Sequence, residues 1–138
     1  MKKLIVFMFS DQSNGTNWGY YGTTMSGADG SAIETGAQNT IDIEAGCTTA
    51  GTSADICANL TLGRYSDWFL PSQDELSWMW QNIGQGNALF LGNIGGLANF
   101  YHCSSTEDGS NRAWVQDFAT SYQDGGRKDF NFNYVRAF

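Results

Sequence analysis

Around Trp114 the chain alternates. Trp114, Gln116 and Phe118 fall on one side, and Ala113, Val115 and Asp117 on the other. A period of two over six residues predicts a half-buried strand. The side with the large aromatics is the expected anchor. The other side mixes an apolar, an acidic and a small residue, and is the expected displayed face. Phe130, Phe132, Tyr134, Arg136 and Phe138 alternate again, which predicts a half-buried last strand. At the other end of the chain, residues 4–9 form an unbroken apolar run, read as a buried first strand over 4–10 that pairs with the last one. Two lysines precede that run, as in a signal peptide. Six apolar residues are short for its core, however, and no clear small-residue cleavage site follows.

Between these ends the period changes to that of helices. Asn39-Thr40 offers an N-cap to Ile41, Ile43 and Ala45, predicting a short helix near 39–46. Ile56, Cys57 and Leu60 share a helical face within 53–60. The clearest local signal is the segment 67–84. Pro71 holds Leu70 out of helical geometry. Ser72 and Glu75 form an S-x-x-E capping box, so a helix begins at residue 73. Leu76, Met79, Trp80 and Ile83 give its apolar stripe, and Gly84 supplies a stop. The pair Trp78 and Trp80 reads as core and shielding. Residues 11–16 (DQSNGT) read as a turn-forming cluster, 23–36 as a long ordered loop, and 85–99 as a Gly-rich loop over the core.

Composition narrows the functional classes. A length of 138 residues predicts one domain spanning 1–138. With 15% charged and 14% aromatic residues the composition is that of a folded chain. The net charge of −7 lacks the basic patch that nucleic acid or an anionic membrane requires, so neither is an expected partner. No run is long enough for direct membrane insertion. Seventeen Gly against one Pro predict a large share of loop.

Three cysteines leave the redox compartment open: Cys47 and Cys57 can be bridged, or all three can be buried thiols. With no CxxC and a single histidine, His102, there is no zinc spacing, and no metal or cofactor is expected.

The strings DWFLPSQDEL (67–76), FYHCSSTE (100–107), NRAWVQDF (111–118), QDGGRK (123–128) and VRAF (135–138), in this order, resemble the variable proteins of diversity-generating retroelements. These belong to the branch of the C-type lectin fold that also resembles formylglycine-generating enzyme. The likeness continues upstream through Ile5–Phe7, Trp18-Gly19, Tyr21–Thr23, 35–40 and Cys57, and so covers nearly the whole chain. It implies an α+β domain of C-type lectin fold, with paired terminal strands, two main helices and a loop-rich binding face. In that family a reverse transcriptase rewrites the 3′ end of the gene at adenines, so that a fixed frame carries varied side chains.

Here the implied frame is Ser104–Glu107, Ala113, Trp114, Gln116, Phe118, Gln123, Lys128 and Val135–Phe138. Two positions depart from the family pattern: Cys103 stands for a tryptophan, and Ser121 for a glycine expected near that position.

The implied varied set lies within 102–134 and would contact ligand. In its first half it comprises His102, Cys103, Asp108, Ser110, Arg112, Val115 and Asp117. In its second half it comprises Thr120, Tyr122, Asp124, Gly126, Arg127, Asp129 and Phe130. Tyr122, Phe130, Val115 and Arg127 are the expected anchors, since aromatics and arginine dominate binding hot spots.

The resemblance implies recognition of a protein or carbohydrate ligand from a virion or cell surface, without catalysis. A fixed adhesive or carbohydrate-binding domain of the same fold is the alternative. The Glu-Pro-Asn and Trp-Asn-Asp motifs of calcium lectins are absent from the sequence. An enzyme of the formylglycine-generating type is the third reading. It would need a cysteine pair, and Cys103 has no second cysteine near it in sequence.

Overall fold

In the computed structural model, residues 10–131 and 133–138 are described. The order of elements is β1 (Ser13–Thr16), α1 (Gly36–Gly46), α2 (Ser53–Ala58), α3 (Gln73–Asn82), β2 (Tyr101–Glu107), β3 (Arg112–Asp117), β4 (Gln123–Arg127) and β5 (Asn133–Val135). Among the described residues the fold is α+β, with three helices and a sheet ordered β1-β5-β2-β3-β4. β5 runs parallel to β2, with His102 opposite Tyr134, and the other neighbours are antiparallel.

Both faces of the sheet are covered. Cys103, Ala113, Val115 and Val135 join one core with Trp18, Ile43, Cys57, Trp68 and Leu70. Phe118 joins a second with Leu76, Met79 and Ile83 of the α3 region and Leu97. Neighbouring side chains along β3 point to opposite faces, so each core receives alternate residues of the same strand. This corrects the expectation of one anchored and one displayed face. Ala113 and Val115 are as much inside as Gln116 and Phe118, while Trp114 is only half-buried.

The expected first strand falls mostly on residues 4–9, outside the described residues. Among the described residues, the strand that pairs antiparallel with the C-terminal one is Ser13–Thr16, within the cluster read as a turn. β1 carries no apolar pattern because backbone groups define it: Gln12 N–H donates to Val135 C=O at 2.7 Å. At Gly15 the chain runs so close to Asn131 that an added Cβ would lie 2.7 Å from its carbonyl oxygen.

The capping box is formed, and α3 begins at Gln73. Glu75 does more than close that box. Its Oε1 accepts from Ser72 N–H at 2.9 Å and from Gly36 N–H at 3.0 Å, so one buried carboxylate serves the starts of α3 and α1. An added Cβ at Gly36 would sit 2.3 Å from that oxygen.

α1 starts earlier than the Asn39-Thr40 cap implied, at Gly36. Those two residues are buried and used as straps. Asn39 exchanges bonds with both backbone groups of Gly30 and donates to Ser105 Oγ, and Thr40 Oγ1 accepts from Leu70 N–H. Polar side chains tied to distant backbone look, in sequence, the same as local caps. Cys47, Cys57 and Cys103 are buried free thiols. Among the described residues, no helix is long and apolar enough to cross a membrane.

Candidate functional site

The C-terminal third is held from beneath by buried polar groups. Lys128 is fully buried, and its Nζ meets Glu107 Oε2 at 2.7 Å and Thr23 C=O at 2.8 Å. The ammonium also lies 4.6 Å from the centre of the Trp18 ring. Glu107 Oε2 accepts from Met25 N–H as well, so this pair fastens the 18–28 loop to the sheet. Such an ion pair is held only because its hydrogen bonds are met, and removing one partner leaves a buried charge.

Arg136 makes a second anchor. It donates to Asp11 and to the carbonyls of Gly95 and Gly96. His102 Nε2 lies 2.9 Å from the same Asp11 oxygen. Burial pushes the Asp11 carboxyl up, but the His102 bond, the charges of His102 and Arg136, and the Ala98 N–H together take it below its ordinary value. A third anchor is amide to amide. Gln123 Nε2 donates to Gln116 Oε1 and Gln73 C=O, and Gln73 Nε2 donates to Gln123 Oε1. β4, the sheet's edge, is thereby tied to α3.

On this base the sequence-predicted contact residues divide into three groups. Asp108, Arg112, Thr120, Tyr122, Asp124, Arg127, Asp129 and Phe130 are exposed. Ser110, Asp117 and Gly126 are half-exposed and carry structural duties. Asp117 accepts from Ala119 N–H and Thr120 Oγ1, stitching the β3–β4 turn. Gly126 faces Val115, whose Cγ1 would be 2.9 Å from an added Cβ.

His102, Cys103 and Val115 are the corrections, at 0%, 1% and 6% exposure. His102 is packed between Phe118 and Tyr134 and bound to Asp11. The Cys103 thiol donates to Ser53 Oγ at 2.9 Å, and burial pushes its pKa up to about 11. A sealed thiol held protonated lacks the setting of a nucleophile. Val115 fills the core beside Gly126, so it is no anchor for a ligand.

The exposed residues fall in two clusters at the ends of β4, roughly 13 Å apart by strand rise. By register Asp124 shares the face of Val115 and Arg127 that of Arg112, so the two leave opposite faces of the edge strand. At the turn end stand Thr120 and Tyr122, the latter 60% exposed. Ser121 there has φ +70°, the left-handed region that glycine favours.

At the other end Arg127 lies 5.1 Å from the ring centres of both Tyr21 and Phe130. It pairs with both oxygens of Asp129, at 3.0 and 2.7 Å. This pairing, above all its hydrogen bond, raises the guanidinium pKa; the same bond lowers that of the carboxyl. Arg112, opposite Arg127 in register, donates to Gly125 C=O. Flat aromatic faces beside a guanidinium that Asp129 holds in place suit a ligand with planar groups.

Tyr21 was not among the sequence-predicted contacts, because it lies far upstream; the one signal for it was the aromatic, Gly-rich run 18–22. Among the described residues, no cluster of three or more His, Cys, Asp or Glu could hold a metal ion. No protein-family model matches this chain, and no curated protein matches it at a significant level.

Proposed function

We propose that this chain is a ligand-recognition protein with the C-type lectin scaffold, displaying retroelement-diversified side chains along β4 and its two flanking turns. The observation that carries this reading is the interleaving at 127–129. The side chains of Arg127 and Asp129 are 46% and 41% exposed, while Lys128 between them is fully buried on Glu107. Fixed and displayed positions alternate residue by residue, so a side chain can change without touching the ion pair next to it.

The same division holds more widely. Ser104–Thr106, Ala113, Gln116, Phe118 and 135–137 are inside, while Tyr122, Asp124 and Phe130 are outside. Ligand contact is assigned to the exposed set together with Tyr21, and not to His102, Cys103 or Val115.

Sequencing many copies of the gene tests this. Adenine-directed changes are expected in the codons for Arg112, Tyr122, Asp124, Arg127, Asp129 and Phe130. The codons for Glu107, Val115 and Lys128 should stay constant. Changes spread evenly over both groups would refute the diversified reading.

A further inference from the structure

From Leu76 to Thr106 the chain contains no Asp, Glu, Lys or Arg. Inside that stretch a short loop places Leu89, Phe90, Leu91 and Ile94 at the surface, 75%, 95%, 57% and 44% exposed. A cluster of large apolar side chains this open marks an interaction surface.

The loop is built to hold them there. Asn87 Oδ1 accepts from Leu89 N–H, Asn87 C=O accepts from Phe90 N–H, and Asn87 Nδ2 donates to Asn82 C=O. Asn93 exchanges bonds with both backbone groups of Leu97. Phe90 takes φ +56°, a conformation that a bulky side chain adopts only at a cost. That cost is spent where the ring touches solvent.

We infer that this loop is a self-association surface through which two copies of the chain pair. Each copy carries a net charge of −7, so copies repel over most contacts they could make. The uncharged loop is a face they can share without bringing like charges together. At its base, Arg136, bound to Gly95 and Gly96, is paired with Asp11 and adds no unmatched charge. The same patch from each copy can meet about a two-fold axis.

The four side chains offer roughly 500 Å² per copy, or roughly 1,000 Å² for the pair, at the threshold for a specific but weak contact. β4 stands three sheet positions from β5, which Arg136 follows, so pairing here leaves the displayed clusters open. The inference does not depend on what those clusters bind.

Sedimentation equilibrium of the full chain tests it. The expected result is a monomer–dimer equilibrium with Kd in roughly the 10–500 μM range. Added salt should tighten it, by screening the mutual repulsion. Phe90→Asp should weaken pairing at least about tenfold with Tm unchanged. Phe90→Asn, which tolerates the left-handed backbone, should weaken pairing while holding or raising Tm.

A chain that stays monomeric throughout overturns the inference, as does pairing that Phe90→Asp leaves intact. A monomer whose Tm falls on Phe90→Asp would show the ring covered from within the chain, and also overturns it. The last arm is cosedimentation with phosphatidylcholine vesicles. A monomer that binds them through Phe90 would assign the loop to a neutral lipid surface instead.

Discussion

Replacing Lys128 by methionine would leave the buried Glu107 carboxylate without its counter-charge, held only by the Met25 N–H. The expected loss is about 3–5 kcal/mol, read by urea denaturation. The same change at the adjacent Arg127 should leave the denaturation midpoint almost unchanged, because that pair stands at the surface. Ser121→Gly is expected to stabilise by about 0.5–1 kcal/mol, since the φ of +70° then carries no Cβ penalty.

Two carboxyls set opposite pH trends. Asp11 is held below its ordinary value of 3.8, so its contribution is present above that pH and is lost as acid protonates it. Asp11→Asn should therefore flatten the acid limb of a stability–pH curve. Glu44 is raised above 4.5, by its burial and then by the neighbouring Asp55 charge. Its native form binds more protons than the unfolded one, so its contribution is lost as pH rises from 4.5 through the folded pKa. Glu44→Gln should match or exceed the wild-type Tm at pH 7, and the gain should vanish near pH 4.

At the scale of elements, Glu75 links two helices that the sequence treats separately. Ser72→Ala should cost about 1 kcal/mol, the ordinary value of a cap. Glu75→Ala should cost clearly more, about 2–3 kcal/mol, because two buried N–H groups lose their acceptor. Amide exchange at Gly36 and Ser72 should accelerate together in that variant, a result that a cap local to α3 would not give.

α3 was legible because its cap, stripe and stop are all local and agree. β1 was not legible: a short edge strand with Asn and Gly at its centre offers no apolar period to read. α1 was found but shifted, since Asn39 and Thr40 act over long range and carry the same letters as a cap. Burial of Val115 was missed because period two reveals two faces without telling whether one or both are covered.

For the molecule as a whole, the exposed clusters should tolerate combined change. Tyr122, Asp124 and Phe130 replaced together should shift Tm by only a few degrees, as is usual for exposed positions. A single Gly126→Val should instead unfold or strongly destabilise the domain by driving into Val115. Thermal melts of the two variants side by side check the division between frame and display. That Glu107, Gln116, Lys128 and Arg136 are buried was not legible from their chemistry, because a polar letter says nothing of the partner it meets across the fold; they were singled out by the order of strings that resembles a family. The outline of the displayed clusters could not be read either, because Tyr21 reaches one of them from a loop more than a hundred residues upstream of Arg127.

The strand that joins β1 to the rest of the sheet is also the last of the five described strands in chain order. β5 is inserted between β1 and β2, and Val135, Arg136 and Ala137 are sealed inside. A stop codon or frameshift anywhere upstream of it therefore deletes the middle of the sheet, not a dispensable tail. Such a chain would leave β1 without β5 and Asp11 without its Arg136 partner, and would be open to proteolysis. Folding is thus made conditional on the reading frame holding as far as β5, since no earlier strand can take its place between β1 and β2.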